Sequence, residues 1–486
     1  MMIDRLIMQP EGKTLEFKRD LSSPKPLLKS IVAFANTAGG RLIIGVDDKQ
    51  KITGVEQPLD EEERLCNLIA DSISPRLVPN IELMTIEGKT ILLVEVFVSS
   101  TRPHWFNADG MEHGVYVRLG STNRQADCEL IAELRRRMEG VIFDEMPMPD
   151  LSFDDIDLAK AQALFTGICT LNEQTLLTLK LVTHHQGRLV PTKGAILLFG
   201  KNRRAQFPDA WIQCGRFIGQ DKSKIFDHLD IHDYLPDAVE SIMLFLKKHA
   251  MRGADFTEIY RKDVWNIPLL ILREVIINAL IHTDYSQRGA PIRVSFFDDR
   301  IEIENPGILL PGITIEDIRQ GVSKIRNHVI ARVFRELNLI EQWGSGVSRI
   351  FTEAKEQNLP EPEIIEIGMR MRFIVPLAQP INMQTKHDIE DELSHERLES
   401  RLESRLESKL AARVMLVLHK GDAGKSQIAK ALGHKMVSGE LNKQIKQLIT
   451  LQMIEMTLPD TPNSRLQKYR LTEMGKELMK LDQETR

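Results

Sequence analysis

The segment AFANTAGGRLIIGVDD, residues 33–48, holds the clearest change from helix to strand in the chain. Apolar residues at helical spacing predict a helix over 24–38, which two glycines end. The β-branched run at 42–46 then predicts a buried strand. Residues 1–140 therefore form a predicted α/β domain. Its other main elements are a strand over 91–98 and a helix over 129–138.

Charged side chains accompany the first strand of this domain. In EGKTLEFK, residues 11–18, alternation places Glu16 and Lys18 on one face. Such a pair suits phosphodiester hydrolysis, because a carboxylate can hold a divalent metal while a lysine stabilises charge on the transferring oxygen. Mg²⁺ or Mn²⁺ prefers several oxygen ligands. The alternative is a row of solvated charges on an exposed sheet face. The other candidate ligands are Glu11, Asp47 and Asp48.

These two segments, together with VYVRLGS at 115–121, resemble the Schlafen AlbA_2 domain over about 120 residues. Some members of that family are metal-dependent RNA endonucleases that use two glutamates and an aspartate, and many bacterial members are described as DNA-binding only. The resemblance implies metal ligation by Glu11, Glu16 and either Asp47 or Asp48. The catalytic set would then be Glu11, Glu16, Lys18 and Asp48.

A polar row marks a second candidate site, on the helix predicted over 273–282. Glu274, Asn278 and His282 recur every four residues, so they share one face. A polar row on an apolar helix must face water or a ligand. An amide oxygen can ligate Mg²⁺ that carries phosphates, and a neighbouring acid can orient water. Glycines downstream, in 305–307 and 344–346, suit phosphate approach at a helix N-terminus, although each alone also fits a plain turn.

This set resembles the GHKL ATPase fold over residues 261–378, in the divergent form that follows AlbA_2 domains in bacterial proteins. The resemblance implies ATP with Mg²⁺, with Glu274 as the water-activating base and Asn278 as the metal ligand. The usual D-x-G-x-G is absent, and Asn305 and Gly307 stand in its place, so an amide replaces the acid that pairs with adenine. The predicted nucleotide-binding residues are Glu274, Asn278, Asn305, Gly307, Gly344 and Gly346.

Two stretches connect these domains to the rest of the chain. Residues 150–260 form a central connecting region that follows a proline-rich boundary, with helices and a predicted strand at 194–200. Residues 379–410 contain the repeat RLES. Like charges four residues apart weaken an isolated helix, so a linker is favoured over a helix that a partner stabilises.

The C-terminal residues 411–486 predict three helices followed by two strands, an order that resembles winged helix-turn-helix domains. This segment holds thirteen Lys and Arg residues against eight Asp and Glu, which suits phosphate contacts along a nucleic acid. The alternative is a winged helix that binds protein. GDAGKS at 421–426 is not a P-loop, because His419 stands where the motif needs glycine. The predicted nucleic-acid contacts are Arg118, Lys435, Lys443, Lys446, Arg465 and Lys468.

Composition limits the class of protein. The 486 residues are 42% hydrophobic and 27% charged with a net charge of −5, which excludes collagen, disordered and disulfide-stapled classes. Four scattered cysteines fit a reducing compartment. Neither a signal peptide nor a membrane span is predicted, so we expect a cytoplasmic protein without a membrane partner.

The predicted fold class is an α+β multidomain protein: an AlbA_2-like α/β domain, a GHKL-like α/β sandwich and a C-terminal winged helix-turn-helix. The predicted function is that of an ATP- and nucleic-acid-binding homo-oligomer, a dimer or higher. Its N-terminal domain would cut RNA or DNA with a divalent metal, in defence against phage. The alternatives are a non-catalytic, ATP-responsive transcription regulator and an interaction hub with a vestigial ATP site.

Overall fold

The computed structural model describes residues 2–250, 252–255, 262–340 and 346–378, and most of 402–480. The chain divides into two compact units, Met1–Asn382 and Met383–Arg486. In the part of the chain so described, no helix is both long and apolar enough to cross a membrane.

The N-terminal part of the first unit is built on a four-stranded mixed sheet, of strand order β1-β2-β5-β4. Strands β1 and β2 run parallel, so that Glu16 lies beside Leu42. Two short antiparallel pairs, β3 with β6 and β7 with β8, complete it. The elements are α1 Met2–Ile7, β1 Leu15–Lys18, α2 Pro24–Asn36, β2 Gly40–Ile44, α3 Pro58–Ser72, β3 Ile73–Ser74, β4 Asn80–Ile86, β5 Lys89–Val96, β6 Trp105–Phe106, α4 Gly110–His113, β7 Tyr116–Leu119, β8 Thr122–Gln125 and α5 Cys128–Met138.

The core of this domain forms where α2 packs on the sheet. The apolar face of α2 and the central strands are fully buried, including Phe34, Leu42 and Val94. Gly39 adopts φ +74° and its amide bonds the Phe34 carbonyl, so the helix ends in a left-handed turn that leads directly into β2. The predicted transition from helix to strand at 33–48 is therefore present.

The rest of the first unit centres on a six-stranded sheet of order β12-β11-β15-β16-β18-β17, in which only β11 and β15 pair in parallel. Helix α11 lies on β16 and β18, with α10 beside it. The elements are α6 Leu158–Leu164, α7 Glu173–Thr178, β9 Val182–His185, β10 Arg188–Pro191, α8 Lys193–Phe199, α9 Arg203–Gln206, β11 Ile212–Phe217, β12 Ile225–Ile231, α10 Leu235–His249, β13 Arg252–Asp255, β14 Lys262–Trp265, α11 Leu269–His282, β15 Ile292–Phe296, β16 Arg300–Pro306, α12 Ile315–Arg319, α13 His328–Glu336, α14 Gly346–Glu356, β17 Glu363–Ile367 and β18 Arg370–Pro376.

The predicted strand at 194–200 is wrong, because these residues form α8. The Thr192 side chain accepts a hydrogen bond from the Ala195 amide and caps the helix N-terminus. Six consecutive residues of α8 are buried, so the segment is apolar on all sides. A short apolar run of this kind has no periodicity that separates a buried helix from a buried strand.

The second unit has the predicted order of three helices and two strands, followed by a fourth helix that the sequence pattern did not predict. Leu402 and Leu406 of the RLES repeat are buried in the apolar core of this unit, so part of the repeat belongs to the folded unit rather than to a bare linker. The elements are α15 Lys409–His419, α16 Lys425–Ala431, α17 Gly439–Thr450, β19 Ile454–Met456, β20 Tyr469–Leu471 and α18 Glu473–Lys480.

Candidate nucleotide cleft and nucleic-acid surfaces

Glu16 is neutralised by two cations of its own domain. As predicted from the alternation along β1, Glu16 and Lys18 share a face, and their Oε1 and Nζ atoms are 2.5 Å apart. The other carboxylate oxygen lies 2.5 Å from Nη1 of Arg118. Glu16 is buried, with 6% of its surface exposed. A carboxylate held on both oxygens by cations is stabilised by charge-assisted bonds, and both oxygens of Glu16 are engaged within the protein.

Arg118 was predicted to contact a phosphate backbone, and the structure corrects this placement. Its side chain is only 1% exposed and lies over the Phe34 ring. Beyond Glu16, the guanidinium donates to the carbonyl of Gly12 at 2.9 Å and to the side chain of Asn123 at 2.9 Å. Burial of an arginine requires a counter-ion, and Glu16 provides it, so Arg118 holds β1 to β7 from inside the domain.

The other acids predicted as metal ligands do not form a cluster; two of them accept backbone hydrogen bonds and the third is exposed. An oxygen of exposed Glu11 accepts the backbone N–H of Phe17 at 2.8 Å. Asp47 accepts the amides of Lys49 and Lys51, and these backbone hydrogen bonds, foremost that from Lys51, hold the pKa of its carboxyl below its usual range. Asp48 is exposed at the start of the turn that follows β2. No three His, Cys, Asp or Glu side chains among the described residues lie close enough to hold a metal, so this donor set does not fit one.

A cleft opens beside the carboxyl-terminal half of α11, over β16 and β18. Its empty space is about 630 Å³, a figure that includes the part open to solvent. Its walls combine apolar side chains with a few convergent polar groups. The lining residues are Asn278, His282, Asn305, Ile308, Leu309, Leu310, Ile313, Ile318, Ser323, Lys324, Arg326, Val347, Met371 and Phe373.

The α11 residues predicted to bind nucleotide and metal contact one another. The Asn278 amide nitrogen donates to the Glu274 carbonyl at 2.8 Å and to its Oε1 at 2.9 Å. That Oε1 also lies against Gly346, where a Cβ added to the glycine would sit only 1.9 Å away. Asn278 lines the cleft, whereas Glu274 borders a smaller neighbouring cavity. Glu274 therefore does not line the cleft itself but contacts Asn278, which does. The amide oxygen of Asn278 is the atom suited to Mg²⁺.

The residues that replace the usual adenine-site motif lie at the end of β16. Asn305 is 2% exposed and lines the cleft, and its amide nitrogen donates to the Pro306 carbonyl at 3.2 Å. Gly307 has φ +101°, and a Cβ there would lie about 3.0 Å from Asp284 and 3.1 Å from Arg326. Glycine is therefore required by both conformation and space. Gly344 lies outside the described residues.

Two residues near the end of α11 differ in role. His282 lines the cleft, and burial, with smaller effects of Arg326 and Arg137, lowers its pKa to about 4, so its imidazole is neutral at pH 7. Asp284 is buried and accepts hydrogen bonds from the backbone and hydroxyl of Ser286. Asp284 therefore shapes the turn that follows α11.

The cations of the cleft were not among the residues predicted from sequence. Lys324 and Arg326 both line it. Arg326 is 4% exposed, pairs with Glu133 and donates to the Ile308 carbonyl. Two basic residues in SKIR, residues 323–326, between the two glycine motifs were the available signal. Because Glu133 already neutralises Arg326, exposed Lys324 is the cation of the cleft that suits an anionic ligand.

The C-terminal unit presents basic residues on one exposed helix face. Helix α17 buries Leu441, Ile445 and Leu448, which leaves Lys443 and Lys446 exposed one turn apart. Ser438 caps the helix by accepting the Leu441 amide at 3.1 Å. Lys468 is exposed beside β20. Lys435 and Arg465 lie outside the described residues.

The fold and the cleft define a mixed α+β multidomain protein with several sheets. Residues 11–127 match the Schlafen AlbA_2 family. Residues 289–375 match HATPase_c_4, described as "Putative ATP-dependent DNA helicase recG C-terminal". Residues 411–472 match the C-terminal domain of Fic-like proteins, "Filamentation induced by cAMP". The chain thus carries an AlbA_2 domain, a RecG-like HATPase_c_4 domain and a Fic-like C-terminal domain.

The solved structures that are similar to the chain include the following two. The DIP2311 protein of Corynebacterium diphtheriae is 20% identical, over 98% of this chain and 97% of its own, with a TM-score of 0.42. The N-terminal domain of a "Putative ATP-dependent DNA Helicase RecG-related Protein" from Nitrosomonas europaea is 29% identical, over 26% of this chain and 90% of its own, with a TM-score of 0.21. Neither TM-score is high enough to establish a shared fold. No curated protein matches the chain.

Proposed function

We propose that the protein binds ATP in the cleft beside α11 and binds nucleic acid without cutting it, as a nucleotide-responsive regulator. The observation that carries this proposal is the contrast in the donor sets. Asn278, Asn305 and exposed Lys324 line one cleft, while Glu16 is occupied by Lys18 and Arg118. The HATPase_c_4 match, with its helicase-related description, and the AlbA_2 match support a link to ATP and nucleic acid.

The cleft residues divide the work of holding a nucleotide. Apolar walls from Ile308, Leu310 and Phe373 suit the faces of a base. Asn305 offers a neutral amide for the base edge. Asn278 would hold Mg²⁺, which supplies charge neutralisation for the phosphates. GHKL-like hydrolysis would require Glu274 to reach water, and Glu274 contacts Asn278 and Gly346 beside the cleft.

Calorimetry of the full chain with ATP and Mg²⁺ tests the nucleotide site. Asn278→Ala should weaken binding about tenfold or more, because one polar ligand contact of about 1.4 kcal/mol is lost. Asn80→Ala is the matched control, since its amide also donates to a glutamate at 2.9 Å, but on the N-terminal sheet. A wild-type chain that binds no ATP would refute the proposal.

We further propose that the C-terminal unit is a winged helix that docks α17 on nucleic acid. Lys443→Ala with Lys446→Ala should weaken binding to labelled duplex DNA and reduce the slope of log affinity against log salt by about 2. Lys476→Ala in α18 is the control, since Lys476 is already paired with Glu473. An unchanged salt slope in the double variant would assign α17 to protein contacts.

Nuclease assays separate this regulator from the metal-dependent nuclease. Purified protein with Mn²⁺ should leave labelled tRNA, single-stranded DNA and duplex DNA intact. Cleavage that Glu16→Gln abolishes would establish the nuclease instead. Cleavage that Glu16→Gln leaves unchanged would indicate a contaminating enzyme.

A further inference from the structure

One side of the nucleotide cleft is a short segment that also touches the N-terminal domain. This wall segment, Gly307–Ile313, contributes Ile308, Leu309, Leu310 and Ile313 to the cleft. Its opposite side is held from the N-terminal domain. The Gly312 amide donates to the Thr37 carbonyl at 2.8 Å, and Ile308 is buried in the apolar cluster that contains Val117 and Leu130.

A carboxylate of the N-terminal domain fixes the cleft arginine. Glu133 of α5 is ion-paired with Arg326, and both side chains are less than 10% exposed. The other end of the guanidinium donates to the Ile308 carbonyl in the wall segment. Arg137, one turn further along α5, donates to the Arg326 carbonyl at 3.0 Å. Arg326 therefore takes its position from α5 on one side and from the wall segment on the other.

A second ion pair ties the wall segment to the turn that precedes β1. Glu366 accepts the Leu309 amide at 2.9 Å through one oxygen. Its other oxygen lies 2.5 Å from Nζ of Lys13. The side chains of Lys13 and Glu366 are 11% and 2% exposed. Loss of Lys13 would leave Glu366 as a buried charge without its cation and release its hold on the Leu309 amide.

We propose that the N-terminal domain completes the nucleotide cleft, with Glu133 and Lys13 as positioning residues that act through Arg326 and Glu366. This inference rests on the proposed nucleotide binding and adds its regulation. Nucleotide affinity then depends on contacts from the AlbA_2 domain. Because linkage is reciprocal, bound nucleotide stabilises that domain in turn.

The route from the cleft continues to the buried acid of β1. Thr37, whose carbonyl accepts Gly312, accepts the Arg118 amide at 3.0 Å with its hydroxyl. Arg118 in turn holds Glu16. These contacts connect the wall segment, through Thr37 and Arg118, to Glu16 on β1 of the N-terminal sheet.

Calorimetry of the full chain with ATP and Mg²⁺ tests the proposal, using Glu133→Gln. This change keeps the shape and removes the charge, and we expect affinity to fall about fivefold or more. Asp298→Asn is the matched control, because Asp298 also pairs with a buried arginine, Arg216, at 2.5 Å but does not line the cleft. Lys13→Met is a second variant that should weaken affinity in the same direction.

Hydrogen exchange gives a readout that a purely structural role of Glu133 would not move. In the wild type, ATP should slow exchange in peptides that cover α5, and Glu133→Gln should abolish this slowing while Asp298→Asn preserves it. Wild-type affinity in both Glu133→Gln and Lys13→Met, or an ATP effect that stops at the cleft, would overturn the inference and leave nucleotide binding intact. A wild type that binds no ATP would overturn both.

Discussion

Strand β1 and helix α11 each present acidic and polar side chains at spacings suited to chemistry, and they differ in which groups neutralise those charges. On β1, Glu16 meets Lys18 and Arg118 of its own domain, so every strong interaction is already made inside the protein. On α11, Asn278 uses its amide nitrogen on Glu274 and still borders an open cleft. The comparison teaches that a motif becomes a ligand site only where the fold leaves some of its bonding capacity for the ligand.

The largest expected effect comes from removing Arg118, the buried counter-ion of Glu16, from β7. Arg118→Met leaves the buried Glu16 with Lys18 alone, so local opening of the N-terminal sheet should become easier by about 3 kcal/mol or more. Native-state hydrogen exchange of β1 and β7 measures that free energy. The control is Arg41→Met in the same sheet, where the pair with Glu95 is partly exposed, at 37% and 28% for the two side chains, and should be worth under about 1 kcal/mol.

Equal effects of Arg118→Met and Arg41→Met would show that Arg118 is not the partner that seals Glu16. A second informative result is Mn²⁺-dependent protection in Arg118→Met that the wild type lacks. That outcome would mean the metal site exists once its competing cation is gone.

The next largest effect is expected from a side chain added at Gly346, next to Glu274 of α11. Gly346→Ala would place a Cβ 1.9 Å from Oε1 of Glu274, so the carboxylate must move away from Asn278. Overpacking of this kind costs about 1–3 kcal/mol. If about 1.4 kcal/mol of that cost falls on the nucleotide-bound state, ATP affinity should fall about tenfold. Gly439→Ala is the matched control, because Gly439 also begins a helix and a Cβ there meets nothing within 4 Å.

Calorimetry distinguishes the two outcomes. If Gly346→Ala binds ATP like the wild type, Glu274 and Asn278 need not stay in contact for binding. Glu274 would then have no part in the nucleotide site. If Gly439→Ala also weakens ATP binding, the effect is a general cost of alanine at a helix start.

Local features of both sites could be predicted from sequence, because they depend on neighbours a few residues apart. The alternation along 11–18 placed Glu16 with Lys18, and the four-residue spacing placed Glu274 with Asn278. The predicted helix at 24–38 and strand at 42–46 also correspond closely to α2 and β2.

The contacts that decide what these sites can do are long-range, and no local pattern contains them. Arg118 meets Glu16 across 102 residues, and Arg326 meets Glu133 across 193. Arg118 has the sequence surroundings of an ordinary strand residue, so a surface phosphate contact and a buried ion pair were equally compatible with it. The same limit applies to Lys13 and Glu366, which are 353 residues apart.

A smaller effect concerns the histidine of the cleft. The folded pKa of His282 is about 4, against an ordinary value of 6.5, because burial and nearby arginines disfavour the charged ring. Below pH 6.5 His282 binds a proton in the unfolded chain but stays neutral in the folded chain, so the free energy of unfolding falls as the pH falls towards 4. Between pH 7 and pH 5 this loss should be about 1–2 kcal/mol.

Urea unfolding at the two pH values measures that loss as a difference between wild type and His282→Gln. The variant should lose less stability on acidification than the wild type, whereas His113→Gln, at an exposed position, should lose as much as the wild type. Parallel losses in wild type and His282→Gln would place a proton on His282 in the folded cleft at pH 5.

The smallest expected effect sharpens the comparison within the β1 site itself. Lys18 and Arg118 hold the two oxygens of the same carboxylate, but the Lys18 side chain is 30% exposed and the Arg118 side chain 1%. Solvent screens the lysine, so Lys18→Met should ease local opening by under about 1 kcal/mol. In a double-mutant cycle with Arg118→Met, the two changes should couple, because they share Glu16. Additive effects would mean that the two cations act on Glu16 independently, and Lys18 would then remain available to a phosphate as the sequence pattern suggested.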